Sequence, residues 1–154
     1  MLFRSEYLQR IFRALARLVE RFGKDVIYPM HPRTKSKLAS IEIPKNVHLM
    51  APLGFYDFNH LLKESYCVLS HSGTAAEEGL FYKVPNVSLR MATERIETLE
   101  SGATIVSGME VDNIVESVAT AVSQDWCARY QLEENFSPSS VVVNAIRTQI
   151  TNFF

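Results

Sequence analysis

The chain has 154 residues, of which 47% are hydrophobic and 21% charged, and its formal net charge is −1. This composition predicts one globular domain, long enough to bury about 68–70% of its unfolded surface without metal or disulfide staples. The near-neutral charge argues against a nucleic-acid partner, and no apolar run approaches the ~20 residues that span a membrane. The first residues, MLFRSEYLQR, lack the apolar stretch of a signal peptide, and we therefore expect a cytoplasmic protein.

The first predicted element is an amphipathic helix that ends at Gly23. Its apolar residues recur at steps of three and four from Leu8 to Phe22 and form one stripe, while arginines occupy many of the other positions. Ser5 is its expected N-cap, and Gly23 suits the left-handed position that follows a helix. We interpret the side of the helix that carries these arginines as a solvated face rather than an anion-binding surface.

Short β-rich runs alternate with amphipathic segments along the rest of the chain. Five strands are predicted, near residues 25–30, 46–50, 66–70, 86–90 and 103–106. Helices are predicted at 34–41, 56–65, 74–82 and 111–124, and a last one runs from Val141 toward Phe154. This alternation predicts a Rossmann-like, doubly wound parallel sheet of the α/β class, with helices on both faces. Such a domain normally begins with a strand, so either the fold is unusual or a first strand lies upstream.

Polar residues follow four of the predicted strands. His31 follows the first strand, residues 70–74 the third, residues 90–95 the fourth, and Gly108 the fifth. The carboxyl ends of parallel strands share one edge of the sheet, and open α/β sheets bind their ligands beyond that edge. We therefore expect these segments to lie along one rim and to form the binding site.

The segment CVLSHSGTAAEEG carries the most specific signal on this rim. Gly73 permits a tight turn, and Ser72, Gly73 and Thr74 would present free N–H groups at the N-terminus of a helix, which receives phosphate readily. Ser72 and Thr74 also supply hydroxyl donors. Glu77 and Glu78 lie one turn into the helix, where a carboxylate can accept hydrogen bonds from a ribose diol. The segment thus favours a nucleotide diphosphate.

Two other interpretations of this segment remain open. A serine nucleophile would need glycine two residues before and two after it, and around Ser72 those positions hold Ser70 and Thr74. Alternatively the segment is a plain strand-to-helix corner, with a serine N-cap and Glu77 completing a capping box. The histidines show no metal-ligand spacing, so neither a metal nor a cofactor is predicted.

Four blocks together resemble a known family. YPMHPRT, FYDFNHLL, LSHSGTAAEEG and LRMATERIETLESG are similar, in order and spacing, to the C-terminal half of non-hydrolysing UDP-N-acetylglucosamine 2-epimerases, from about Asp25 to Gly108. The resemblance implies one half of a glycosyltransferase-B-type two-domain fold, with the UDP-sugar between two Rossmann-like domains. Residues 1–154 would then be the C-terminal UDP-binding domain, without the N-terminal one.

The resemblance also implies a UDP site. Its implied UDP-binding residues are Phe58, Ser72, Gly73, Thr74, Glu78 and Arg95. Phe58 matches the aromatic residue that lies against uracil, and Ser72 and Gly73 match the residues that hold the diphosphate. Glu78 matches the glutamate that bonds the ribose hydroxyls, and Arg95 matches the arginine near the phosphates.

The catalytic candidates that the resemblance implies are His31 and Arg95. His31 occupies a recurrent family position in the block HPRT, and Arg95 would act on the leaving diphosphate. The chain departs from the family pattern at His71, where an aspartate is usual.

The implied reaction is inversion at C2 of a UDP-N-acetylhexosamine, by elimination and re-addition of UDP, in polysaccharide biosynthesis. The family's general-base carboxylates come largely from the N-terminal domain. The isolated chain should therefore bind UDP or UDP-N-acetylhexosamine weakly and turn over little or nothing until that domain is supplied in cis or in trans. A homodimer is compatible with this expectation. Two alternatives stay open: a UDP-sugar glycosyltransferase half, and a non-catalytic module that binds nucleotide-sugars.

Overall fold

The computed structural model describes residues 5–35, 37–38, 41–125, 139–140, 142–143 and 146–147. Its strands are β1 (Val26–Pro29), β2 (Val47–Met50), β3 (Val68–Ser70), β4 (Asn86–Ser88) and β5 (Thr104–Val106). Its helices are α1 (Ser5–Phe22), α2 (Pro32–Lys35), α3 (Phe55–Lys63), α4 (Gly73–Tyr82), α5 (Ile96–Glu100) and α6 (Val111–Ser123). The helix predicted from Val141 onward falls largely outside the described residues.

Every strand pairing in the described part of the chain is parallel. β1 pairs with β2, and β3, β4 and β5 form a second group in that order. In the second group Val68 lies opposite Asn86, which lies opposite Thr104. Since the three strands start level with one another, their carboxyl ends reach the same edge. The predicted parallel α/β architecture is confirmed, with its strands in two hydrogen-bonded groups.

Helices cover both faces of the strands. α6 packs against β4, β5 and α1, whereas α4 packs against β3 and β4 and has α3 and α5 beside it. The core lies mainly under α1 and α6, and its most buried members include Phe12, Leu15, Val87, Ile114 and Val118. This arrangement leaves the N-terminus of α4 at the rim, next to the end of β3.

Helix α1 forms where its apolar stripe predicts. The stripe is buried, and Gly23 ends the helix with φ of 62° and an N–H that donates to the Val19 carbonyl at 2.8 Å. Three arginines of the outer face are half exposed and form ion pairs with acidic residues at the N-cap and in the first half of α6: Arg10 with Glu110, Arg17 with Asp112, and Arg21 with Glu116. Part of the expected solvated face is therefore a row of exposed ion pairs, each of which contributes ~0–1 kcal/mol.

The short helix α5 was not predicted. Its large apolar residues, Ile96 and Leu99, are 59% and 39% exposed, and the residue that it buries is Thr98. A helix that buries a polar residue has no apolar stripe to show in the sequence. None of the described helices combines the length and apolar character that a membrane crossing would need.

Candidate functional site

The turn between β3 and α4 has an open helix start. Ser72 is the N-cap of α4, with extended backbone angles, and in the described structure its hydroxyl makes no capping hydrogen bond. Its own N–H donates to Ser70 Oγ at 3.0 Å. A capping box would need a glutamate or glutamine at the third helical residue, which is Ala75, and Glu77 lies too far along. The Ser72 hydroxyl thus accepts no hydrogen bond from the first N–H groups of α4, and the capping-box interpretation is not supported.

Arg95 lies against this turn. A Cβ atom placed on Gly73 would be 2.9 Å from Arg95 Nε and 3.5 Å from Glu94 Oε1. A side chain at position 73 would therefore force the Arg95 side chain to move away from the turn. Arg95 Nε is buried and has no hydrogen-bond partner among the described residues. A buried donor without a partner is rare and costly, so it marks a place that a ligand can satisfy.

The glutamate pair of α4 is divided between two environments. Glu77 is exposed and pairs with Arg95, with 3.0 Å between Oε1 and Nη1. Glu78 is half-buried, and its pKa is raised, first by burial and then by the negative charge of Glu77. A half-buried carboxylate can accept hydrogen bonds from neutral hydroxyl donors such as those of a ribose. The role of Glu78 toward ribose stays a prediction.

Arg90 connects the ends of three strands. Its Nε donates to the His71 carbonyl at 2.6 Å, and its Nη1 donates to both carboxylate oxygens of Glu94 at 2.9 and 3.2 Å. Its carbonyl accepts from the N–H of Gly108 at 3.0 Å. Segments that follow β3, β4 and β5 are thereby brought into direct contact, as the rim prediction required. The sequence analysis assigned no individual role to Arg90 or Glu94, although both lie in the block RMATER.

Two histidines lie near this part of the rim. The pKa of His71 is lowered by partial burial of its ring, and then by the positive charge of Arg90 and the influence of His31. His31 is exposed and follows β1 directly. The lowered pKa of His71 favours its neutral imidazole.

The predicted uracil-binding residue lies on α3, which packs against α4. Phe58 is half-buried in its first turn, and its N–H donates to the Gly54 carbonyl at 2.9 Å. Beside it, Phe55 and Tyr56 are 70% and 85% exposed, and their rings meet edge to face with centroids 5.6 Å apart. The structure thus presents three aromatic side chains at the start of α3. The sequence analysis missed the outer two, although they are adjacent in the stretch GFYDF.

The structure places the predicted residues as follows. Ser72, Gly73 and Thr74 form the start of α4, with Arg95 beside them, and Glu78 lies one turn further along the same helix. Phe58 and His31 come from separate elements, α3 and the segment that follows β1. Within the described residues no three His, Cys, Asp or Glu side chains cluster as a metal site would require.

Comparison with known proteins identifies the family of this chain. The family model described as UDP-N-acetylglucosamine 2-epimerase matches residues 2–139. The UDP-N-acetylglucosamine 2-epimerase of Methanocaldococcus jannaschii is 33% identical over 120 residues, which are 74% of this chain and 33% of that protein. The UDP-2,3-diacetamido-2,3-dideoxy-D-glucuronate 2-epimerase of Pseudomonas aeruginosa is 33% identical over 99 residues, 64% of this chain and 28% of that protein.

Solved structures give the same picture. The Methanocaldococcus jannaschii epimerase in complex with UDP-GlcNAc and UDP superposes with a TM-score of 0.78 at 27% identity, over 96% of this chain and 41% of that one. A co-structure of Staphylococcus aureus MnaA with UDP gives 0.69 at 29% identity, over 77% and 34%. The fold is therefore that of a Rossmann-like half of a glycosyltransferase-B-type enzyme. More specifically, the chain belongs to the UDP-N-acetylglucosamine 2-epimerase family, and it spans about a third of the length of the curated relatives that it matches.

Proposed function

We propose that this chain is the UDP-binding half of a UDP-N-acetylhexosamine 2-epimerase. The single observation that carries the proposal is the buried, unpartnered Nε of Arg95 beside Gly73, at the uncapped start of α4. Free N–H groups at a helix N-terminus carry about half a positive charge and attract anions. A diphosphate bound there satisfies the N–H groups and the arginine together.

The same arrangement suits the chemistry of the family. Elimination of UDP from C1 builds negative charge on the departing diphosphate, and donors fixed at that point stabilise it without reorganisation. On this proposal the amides of α4 and Arg95 supply the donors. Removal of the C2 proton needs a general base, and reprotonation on the other face needs an acid. We assign these to a second domain, and His31 to the sugar side of the rim.

The remaining parts of the nucleotide follow from the positions of α3 and α4. Glu78 lies one turn along α4 from Ser72 and Gly73, and it is half-buried. We assign the ribose diol to it and the uracil to Phe58, on the helix alongside. We assign the substrate only to the class of UDP-N-acetylhexosamines, because the substrates in the names of the relatives differ in their substituents.

Titration calorimetry of the isolated chain tests the proposal. UDP should bind, pyrophosphate should bind more weakly because it lacks ribose and uracil, and uridine alone should bind weakest. Joining the chain to the N-terminal domain of a relative should restore conversion of UDP-N-acetylglucosamine to its C2 epimer as a free nucleotide-sugar. Failure of UDP and pyrophosphate to bind would overturn the site, and an acceptor-linked product would identify a glycosyltransferase instead.

A further inference from the structure

The peptide unit between His71 and Ser72 is held from both ends. Its carbonyl accepts a hydrogen bond from Arg90 Nε at 2.6 Å, and its N–H donates to Ser70 Oγ at 3.0 Å. A peptide unit is planar, so two bonds in this arrangement fix its rotation about the chain. This unit immediately precedes Gly73, and its orientation sets the direction in which the next N–H groups point.

Arg90 also contacts the loop that carries Arg95, through Glu94. Its Nη1 binds both oxygens of Glu94, whose Oε1 lies 3.5 Å from the position of a Gly73 Cβ. Glu94 directly precedes Arg95, and the N–H of Arg95 donates to Thr93 Oγ1 at 3.2 Å. Through this carboxylate, Arg90 restrains the loop that delivers Arg95. The Glu94 pKa is lowered, chiefly by a hydrogen bond to its own backbone and then by Arg90.

We propose that Arg90 is a positioning residue of the UDP site, whose guanidinium braces the β3–α4 turn against the Arg95 loop so that both present their donors to one diphosphate. The inference rests on the proposed function and deepens it. Nε and Nη1 of Arg90 are committed to protein oxygens, and its charge is offset by Glu94. Its contribution is geometric, because the planar fork of an arginine reaches two acceptors in fixed directions, which a lysine ammonium does not.

The alternative is that Arg90 acts only as a positive charge near the phosphates. The two accounts differ for Arg90→Lys, which keeps the charge and loses the fork. The charge account predicts near wild-type affinity for this variant and a loss only in Arg90→Gln. The brace predicts losses of similar size in both variants, about tenfold, the size expected when a charge-assisted hydrogen bond is lost.

The experiment measures UDP and pyrophosphate affinity by calorimetry for the wild-type chain, Arg90→Lys and Arg90→Gln. It also measures hydrogen exchange of the Ser72 amide, the turn amide that donates to Ser70 Oγ, without ligand. The matched control is Arg21→Lys, at the exposed Arg21–Glu116 ion pair 2.6 Å long on the helices α1 and α6. We expect the affinity of both Arg90 variants for the two ligands to fall by the same factor, and their Ser72 amide to exchange at least about threefold faster. The control should change neither quantity.

The outcomes separate the brace from the proposed function. If the wild-type chain binds UDP and Arg90→Lys binds it equally well, the brace is overturned and the UDP site stands. If the wild-type chain binds neither ligand, the proposed function falls and the role of Arg90 in it falls too. Should the Arg90 variants not fold, Glu94→Gln is the alternative test, because it changes the exposed side chain that pairs with Arg90. Unchanged turn-amide exchange in that variant would also overturn the brace.

Discussion

Gly73→Ala adds one methyl group at the point where Arg95 closes on the turn. The new Cβ would lie 2.9 Å from Arg95 Nε, whereas ordinary van der Waals contact begins at 3.4 Å, so the guanidinium must withdraw by about 0.5 Å (3.4 minus 2.9). A displacement of that size reaches the limit of about 0.5 Å within which a preorganised binding site must hold its groups. We expect UDP and pyrophosphate affinity to fall about tenfold, or ~1.4 kcal/mol.

Stability should move the other way or not at all. Alanine in a helix lowers the entropy of the unfolded chain and gains ~0.4–1 kcal/mol over glycine. The withdrawing arginine weakens an exposed ion pair with Glu77, which contributes ~0–1 kcal/mol. We therefore expect the melting temperature of Gly73→Ala to equal or slightly exceed that of the wild type. A simple loss of folding would instead lower it.

A double-mutant cycle tests whether Gly73→Ala loses affinity because it displaces Arg95. Calorimetry on the wild type, Gly73→Ala, Arg95→Ala and the double variant gives the coupling energy between the two positions. If the methyl group acts by displacing the arginine, Gly73→Ala should cost almost nothing once the arginine is gone. Full additivity, or an unchanged affinity in the single variant, would refute the reasoning that this glycine exists to admit Arg95.

Three further predictions concern the nucleotide and pH. Phe58→Ala should weaken UDP binding by ~1 kcal/mol or more with little change in melting temperature, since base–aromatic stacking is worth ~1–3 kcal/mol; a large loss of stability at unchanged affinity would make the ring part of the core. Glu78→Gln should weaken UDP but spare pyrophosphate, whereas Arg95→Ala should weaken both; equal losses for Glu78→Gln would remove the ribose assignment. Because the pKa of His71 is lowered from 6.5, the unfolded chain binds more protons just below that pH, and the free energy of unfolding should fall as the pH drops from 6.5 to the lowered value. His71→Asn should flatten that slope in urea titrations.

The secondary structure was largely predictable because it follows from local patterns. The five strands and the long helices lie within about two residues of their predicted positions, and Gly23 has the positive φ that its place after the helix required. These features depend on periodicity and on the conformational freedom of glycine, which are both visible in a few consecutive residues. The short helix α5 escaped because it buries Thr98 and exposes its apolar side chains.

The site was predictable only in part, for a related reason. The β3–α4 turn could be located from CVLSHSGTAAEEG, since a glycine and small polar residues after a strand have few other uses. The reason for Gly73 was less visible: the sequence suggested room for a ligand, and the structure shows a close approach by Arg95. The contacts of Arg90 with His71 and of Arg95 with Glu77 join residues 18 or more positions apart. No local spacing reveals such pairs.

The division of the strands into two groups has a mechanical consequence. No backbone hydrogen bond joins β1 and β2 to the other three strands in the described structure. The groups are bridged by side chains of the core, in which Phe12 of α1 meets Tyr28 of β1 at a centroid distance of 5.6 Å and shares a cluster with Val87 of β4. If one group of strands slid past the other, apolar contacts would be lost but no hydrogen bond between paired strands would break. The distance between His31 and the β3–α4 turn would change. The width of the rim thus depends on apolar side-chain contacts of the core, to which α1 contributes Phe12.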